Sequence, residues 1–211
     1  MSTIRRPRKG SLQFWPRKRA RKFLPRVNWS SINSKKTVKG FICYKAGMAS
    51  AWVRDTTPDS MTKGRNIIVP VTILECPPMK ILSVRFYKNG NVKTEILTEN
   101  IDKELKGKLK MPKKRAQNID HVQDYDDIRI VCYSQVKKTG VKKNPDLSEI
   151  GLSGKIQEKI NFVKDNLGKE INVSDIFDKK NLVDIHGLTK GHGLSGPVKR
   201  RKRSERSTCK K

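Results

Sequence analysis

The N-terminal basic segment, Met1–Val27, carries ten Lys and Arg residues and not one Asp or Glu. Pro7, Pro16 and Pro25 interrupt any continuous helix in it. Like charges at this density repel one another, and the segment has too few apolar residues to form a core. Binding to a polyanion neutralises these charges and releases condensed counterions. The composition therefore predicts a contact with RNA or DNA.

A second basic region ends the chain, since Gly187–Lys211 holds nine Lys and Arg residues against Glu205 alone. It includes the glycine loop, Thr189–Gly196, with the sequence TKGHGLSG. Glycines allow positive φ angles and let backbone amides come close to phosphate. The spacing is not that of a nucleotide-binding P-loop, and Pro197 disfavours the helix that would follow one. We expect the loop to contact a nucleic-acid backbone, with a flexible surface loop as the alternative.

Four aromatic residues lie within or next to the N-terminal basic segment: Phe14, Trp15, Phe23 and Trp29. Aromatic rings among cations can stack on unpaired bases while the cations contact phosphates. The alternative, of equal weight, is that Phe14 and Trp15 fix the segment to the folded body by burial.

Other polar residues give little indication of catalysis or metal binding. An acidic cluster precedes one predicted strand: Asp120, Asp124, Asp126 and Asp127. It lacks the regular order and the final Glu of a calcium loop, so a solvated entry to the strand is favoured over a metal site. No Ser–His–Asp or Cys–His arrangement stands out, and neither a cofactor nor a metal is predicted.

The chain has three histidines, His121, His186 and His192. None of their spacings recurs in zinc sites. His186 is predicted to be a structural residue within a strand. His192, in the glycine loop, is a candidate contact to a phosphate or a base.

The whole chain of 211 residues has 48 basic and 20 acidic residues, a formal net charge of +28. Its four cysteines, Cys43, Cys76, Cys132 and Cys209, form no CxxC pair, and no signal peptide precedes them. This pattern predicts a reduced, cytoplasmic protein. The longest apolar runs have the length of strands, and no amphipathic helix accompanies the basic ends, so we expect no membrane binding.

Between the basic ends, apolar residues follow mainly the period of strands. The predicted strands are a pair within Val38–Asp55, a buried strand at Asn66–Pro78, Lys80–Lys88 with a turn at Asn89 and Gly90, Asp126–Val136, Glu170–Val173 and Asn181–Leu188. One helix is predicted at Ser153–Gly168, with Ser153 as its N-cap and Gly168 at C′. The order of elements predicts a mainly β fold, an incomplete β-barrel with an inserted α/β module and basic extended termini.

The predicted domains follow these changes of pattern. They are a basic N-terminal extension (1–37), the first barrel strands (38–85), the inserted α/β module (86–168), the returning strands with the glycine loop (169–198) and a basic tail (199–211).

Four stretches resemble, in order, the large-subunit ribosomal protein L-three family of archaeal and eukaryotic type: Arg5–Val27, Gly40–Ala49 (GFICYKAGMA), Val69–Lys80 (VPVTILECPPMK) and Val183–Arg200. Together they span almost the whole chain. The resemblance implies a barrel of the translation-protein type that binds large-subunit rRNA beside neighbouring ribosomal proteins. It further implies a role in subunit assembly and near the peptidyl-transferase centre, a cytoplasmic, ribosome-associated location, and no enzymatic activity.

Members of that family continue beyond the glycine loop, through a long basic extension and further strands that complete the barrel. This sequence stops after RRKRSERSTCKK (Arg200–Lys211). Three explanations remain open: a separate polypeptide supplies the rest, the reading frame is incomplete, or a reduced protein functions without it.

The predicted RNA-binding residues are cations of both ends, together with Trp15, Lys45 and part of the glycine loop. They are Arg5, Arg6, Arg8, Lys9, Trp15, Arg17, Lys18, Arg19, Arg21, Lys22, Arg26, Lys45, Lys190, Gly191, His192, Gly193, Lys199, Arg200 and Arg201. Two alternatives stay open. One is an architectural protein that compacts DNA, and the other is an RNA-processing enzyme that uses Asp124, Asp126 and Asp127.

Overall fold

The architecture is that of a computed structural model. The structure describes residues 5, 7, 22–34, 36–99, 101–110, 122–178, 181–193, 195–196 and 199. The chain divides into two compact units. The central unit is Asn28–Leu182, and the terminal unit combines Met1–Val27 with Val183–Lys211.

A long hairpin comes first in the central unit. β1 (Tyr44–Arg54) pairs antiparallel with β2 (Asn66–Glu75), and a bulge between Lys45 and Gly47 shifts the register. The predicted pair of strands within Val38–Asp55 is wrong, because Gly47 lies at this bulge and not in a turn. The strand at β2 is confirmed, but its predicted burial is wrong. Its side chains are half-buried or exposed, since among the described residues β2 has only β1 as a neighbour.

The second sheet has five antiparallel strands: β3 (Met79–Lys88), β4 (Asn91–Leu97), β5 (Asp127–Ser134), β6 (Leu147–Gly151) and β7 (Glu170–Ile171). Its order is β4-β3-β5-β6, and β7 pairs with the first residues of β3. Asn89 and Gly90 join β3 to β4 with φ angles of 50° and 77°. Positive φ at both positions suits a tight hairpin turn, so the predicted turn is confirmed.

Three short or medium helices follow the central strands: α1 (Val136–Thr139), α2 (Ile156–Asn166) and α3 (Val173–Ile176). The predicted helix is confirmed by α2, which packs against β5 and buries Val163. Ser153 is not its N-cap. Its hydroxyl instead donates to the carbonyl of Ser34 at 2.7 Å, and the helix begins after Lys155. Gly168 follows the helix with φ of 77°, as predicted for C′.

One face of the second sheet is almost wholly apolar. It consists of alternate residues of β3 and β5, each at most 2 % exposed: Met79, Ile81, Val84, Phe86, Ile128, Ile130 and Cys132. This face is the main core of the central unit.

The opposite face is apolar only at one end. There Leu82, Val131 and Tyr133 form a second cluster with Leu105, which comes from a 3-10 turn at Lys103–Gly107. The side chain of Leu105 is fully buried. The turn is thereby held against the sheet although its neighbouring residues are charged.

At its other end, this face carries an ion-pair network centred on Glu149 of β6. The carboxylate accepts hydrogen bonds from Arg85 Nη1 (2.8 Å), Tyr87 Oη (2.8 Å) and Arg129 Nη1 (3.1 Å). The Arg129 guanidinium also lies 4.2 Å above the centre of the Tyr87 ring. Burial alone would raise the pKa of Glu149, but the hydrogen bonds from Arg85, Tyr87 and Arg129 outweigh it and lower the pKa. The network joins three adjacent strands.

Trp29 attaches the start of the central unit to β6. Its indole Nε1 donates to the carbonyl of Glu149 at 3.0 Å, and its ring lies against two glycines. A Cβ atom at Gly151 would lie 2.6 Å from Trp29 Cβ, and one at Gly40 would lie 2.6 Å from Trp29 Cη2. Trp29, a candidate for stacking on bases, is therefore an anchor of the central unit instead.

The predicted fold class is confirmed in that the chain is mainly β. Both sheets are open within the described residues, which is compatible with an incomplete β fold. The predicted domain limits stay predictions.

We expect Gly151→Ala to lower the free energy of unfolding by about 1–3 kcal/mol, because the added methyl group overlaps Trp29. Gly47→Ala is the matched control. No atom lies within 4 Å of a Cβ there, so its effect should stay within about 0.5 kcal/mol. Urea denaturation followed by circular dichroism measures both. Equal stability of the two variants would contradict the described packing of Trp29.

The Glu149 network also predicts a dependence of stability on pH. A carboxylate whose pKa is lowered by folding stabilises the fold above its ordinary pKa, and this contribution is lost as pH falls through the lowered value. Glu149→Gln should therefore cost about 1–3 kcal/mol at pH 7, since it leaves two guanidinium groups short of a charged partner. The difference between the variant and the wild type should begin to shrink below the ordinary pKa of Glu, about 4.3, and should vanish only once pH has fallen through the lowered pKa.

Denaturant unfolding at a series of pH values measures this convergence. The control is Glu99→Gln, at an exposed carboxylate with no ion pair to a described residue. A difference between Glu149→Gln and the wild type that stays constant from pH 7 to pH 3 would contradict the assigned role of the carboxylate.

Candidate nucleic-acid interface

The described cations of the N-terminal basic segment are exposed. Lys22 and Arg26 present their side chains to solvent, as does Phe23, which is 83 % exposed. Arg5 is exposed as well. The other predicted contacts of this segment lie outside the described residues: Arg6, Arg8, Lys9, Trp15, Arg17, Lys18, Arg19 and Arg21. Phe14, the other aromatic residue left open, also lies outside them.

The segment leading into the glycine loop is not a strand, so the predicted strand Asn181–Leu188 is wrong. Its alternating apolar residues have no partner strand among the described residues, and Leu182 and Ile185 remain exposed. His186 is likewise exposed and outside any strand, which corrects its predicted structural role. Period-2 alternation identifies a strand only where a neighbouring strand supplies hydrogen bonds.

The described residues of the glycine loop are accessible to a ligand. Lys190, Gly191, His192 and Gly193 are all exposed, and Gly193 has a φ of 65°, a conformation that favours glycine. Lys199 is exposed too, whereas Arg200 and Arg201 lie outside the described residues. The loop belongs to the same compact unit as the N-terminal basic segment. The structure thus groups the two predicted basic regions in one unit.

Lys45, the predicted contact within the central unit, is exposed on β1 beside the bulge. Farther along the hairpin, the loop between β1 and β2 is held by Asp55. Its carboxylate accepts hydrogen bonds from Thr62 Oγ1 (2.5 Å), Ser60 Oγ (2.7 Å) and the Thr57 amide (2.9 Å). These donors hold the pKa of Asp55 well below its usual range. The loop is therefore ordered around an internal anion.

The described residues of the acidic cluster form ion pairs and hydrogen bonds within the second sheet and to α2. Asp124 pairs with Lys88 and Lys93, whereas Asp126 accepts a hydrogen bond from the Asn89 amide at 2.8 Å. Asp127 Oδ1 pairs with Lys159 at 2.6 Å, while Asp127 Oδ2 pairs with Arg129 at 3.3 Å. Asp120 lies outside the described residues. Within the part of the chain that the structure describes, no three metal-ligating side chains come together.

The three cysteines that the structure describes have thiols with a raised pKa, which disfavours the reactive thiolate. Burial raises the pKa of Cys132 to about 12, so its thiol stays protonated at neutral pH. Burial also raises the pKa of Cys43 and Cys76, which are half-buried free thiols at the base of the hairpin. Cys209 lies outside the described residues. Among the helices that are described, none has the length and apolar character needed to cross a membrane.

Sequence reasoning missed a group of lysines in the central unit. Lys108 and Lys142 both reach Asp146, at 2.9 Å and 2.6 Å, although they come from different segments of the chain. Tyr44 Oη donates to the same carboxylate at 2.8 Å. Burial would raise the pKa of Asp146, but these hydrogen bonds outweigh it and lower the pKa. The sequence shows that residues 103–110 are rich in lysine. It does not show that Lys142 and Asp146 lie beside them in the fold.

Comparisons with known proteins agree with this picture. The family model of ribosomal protein L3 matches residues 1–116 and 102–211. The large ribosomal subunit protein uL3 of Methanocaldococcus jannaschii is 39 % identical over 210 residues, covering 93 % of this chain and 62 % of the relative. That of Methanothrix harundinacea is 41 % identical over 213 residues, covering 95 % and 64 %. That of Archaeoglobus fulgidus is 38 % identical over 206 residues, covering 92 % and 62 %.

The chain therefore spans a little under two thirds of the length of these relatives. The family match extends over both basic ends and the central unit between them. On this match, the chain belongs to the ribosomal protein L3 family.

Proposed function

We propose that this chain is a structural constituent of the large ribosomal subunit that binds large-subunit rRNA and has no catalytic role. The observation that carries the proposal is the separation of charge along the chain. All acidic residues except Asp184 and Glu205 lie in the central unit, while the N-terminal basic segment has none. A polyanion such as RNA supplies the missing negative charge. The proposed location is accordingly cytoplasmic and ribosome-associated.

The mechanism is charge neutralisation with close backbone approach. Exposed cations of the ends, such as Lys22, Arg26 and Lys190, contact phosphates and release counterions. In the glycine loop, the absence of side chains at Gly191 and Gly193 lets backbone amides reach phosphate oxygens. Contacts of this kind fix the position of the protein on RNA without reading base sequence.

The hairpin supports a place within an assembly. One face of it exposes Met48, Trp52 and Ile68, each more than half accessible to solvent. Large apolar side chains grouped on an exposed surface are typical of interaction sites. We include contacts with neighbouring large-subunit proteins in the proposal for this reason. A role in subunit assembly and near the peptidyl-transferase centre, and a separate polypeptide that supplies the rest of the family's length, stay predictions.

The proposal predicts that binding to a large-subunit rRNA transcript weakens strongly with salt. In the four-site variant R17A/K18A/R19A/R21A, the slope of log affinity against log salt should decrease in magnitude by about three, because each phosphate contact contributes roughly 0.7–0.9. Filter binding across a salt series measures the slope. Preference among RNA sequences should not change, since these cations contact the backbone.

The matched control removes four exposed cations of the central unit, R54A/K63A/R65A/K155A. It should retain a larger share of the wild-type slope than the N-terminal variant does. Equal affinity for duplex DNA and for the rRNA transcript in competition would support the architectural DNA-binding alternative. A flat salt dependence of the wild type would refute charge neutralisation.

A further inference from the structure

Two segments of the central unit meet to form one lysine-rich surface. The first, Lys103–Lys110, contains the 3-10 turn, and the second, Lys137–Lys143, contains most of α1 and the loop that follows it. Eight lysines lie in the two segments: Lys103, Lys106, Lys108, Lys110, Lys137, Lys138, Lys142 and Lys143. We call them the two-segment lysine surface.

Ion pairs connect the two segments, directly at one point and through the shared carboxylate of Asp146, which follows the second segment, at another. Lys108 and Lys142 share Asp146, and Lys137 Nζ lies 3.4 Å from Glu104 Oε1. The side chain of Asn144, just after the second segment, also lies close to the first, since a Cβ atom at Gly107 would lie 3.5 Å from Asn144 Oδ1. The eight lysines therefore belong to one surface and not to two independent loops.

Buried residues fix this surface in place. Leu105 fastens the first segment to the apolar end of the sheet face, and Val136 fastens the start of α1. Both side chains are fully buried. Gly140 ends α1 with a φ of 67°, which directs the chain into the loop before β6. The lysines thus extend from anchored backbone, which lowers the conformational entropy that a bound partner must restrict.

The charge of the surface is only half compensated. Lys108, Lys137, Lys138 and Lys142 have carboxylate partners. The other four lysines are exposed and make no ion pair to any residue that the structure describes: Lys103, Lys106, Lys110 and Lys143. Their mutual repulsion persists in the free protein and is relieved by an external anion.

We propose that the two-segment lysine surface binds the phosphate backbone of RNA, as a contact area on the central unit additional to the chain ends. This inference rests on the proposed function. Lysines act as point charges that suit phosphate oxygens, whereas protein–protein interfaces are depleted in lysine and enriched in aromatic residues. Neither segment contains an aromatic residue. These features favour a nucleic-acid backbone over an acidic protein surface.

Lysine footprinting on the full chain tests the proposal. The protein is acetylated with an amine-reactive ester, alone and with a large-subunit rRNA transcript of Methanocaldococcus jannaschii, and each lysine is quantified by mass spectrometry. Lys103, Lys106, Lys110 and Lys143 should react several-fold more slowly with RNA present. Lys63 and Lys155 are the internal controls, because both are exposed and make no ion pair to a described residue. Their reactivity should not change.

The outcomes separate this inference from the proposed function. Protection of Lys22 and Lys190 without protection of the surface lysines would overturn the inference and leave the proposed function intact. Protection of neither set would overturn both. If poly-L-glutamate of equal charge protected the surface lysines as well as the transcript does, the assignment to RNA would fail in favour of an acidic polypeptide.

A matched pair of variants provides a second measurement. K106Q/K110Q/K143Q should decrease the magnitude of the salt slope for the same transcript by about two to three. The control K63Q/R65Q/K155Q removes the same charge elsewhere in the central unit and should change the slope by less than about one. Circular dichroism checks that both variants fold. Equal slopes for the two variants would overturn the proposal, because the effect would then reflect net charge alone.

Discussion

The shortage of carboxylates is the constraint on which the rest of the structure depends. The chain has only 20 acidic residues for 48 basic ones. Several of these acidic residues form ion pairs that connect strands and neighbouring segments. Glu149 joins β3, β5 and β6, Asp127 connects β5 to α2, and Asp146 holds two segments together. Each is engaged by at least two donors, so little negative charge remains for other cations. The longest runs of positive charge lie at the ends of the chain, and the two-segment lysine surface adds four exposed lysines without an ion pair to any described residue.

Local patterns were sufficient to predict much of the fold. β2, β3 and β5 are β-branched or alternating runs, and their existence follows from side-chain spacing alone. The turn at Asn89 and Gly90 and the end of α2 at Gly168 follow from backbone conformations that few residues adopt. The predictions were wrong where the structure of a segment depends on a residue or strand that is distant in sequence. Asn181–Leu188 alternates like a strand but lacks one to pair with, and Ser153 bonds to Ser34 instead of capping a helix.

The candidate nucleic-acid interface also has parts that the sequence predicts and parts that only the fold reveals. The N-terminal basic segment and the glycine loop are each one continuous stretch of sequence, so composition was enough to predict them as candidates. The two-segment lysine surface was not predictable, because its halves meet only after β5 pairs with β6 and Leu105 is buried. Trp29 shows the same limit: the basic residues near it favoured stacking on bases, but in the structure it packs against two glycines that are distant in sequence. Glycine at 40 and 151 is a requirement of that packing, which no local pattern could reveal.

The hairpin of β1 and β2 contains a proline and a bulge that affect how its edges can pair with other strands. A ribbon whose outer edges carry unpaired amides and carbonyls is a template for edge-to-edge addition of another strand. Pro70, in the middle of β2, has no amide hydrogen to offer an incoming strand, and the bulge near Gly47 distorts the edge of β1. Both edges are therefore poor templates for adding a strand from a second copy. The apolar side chains of the hairpin can thus remain exposed without self-association until a binding partner covers them.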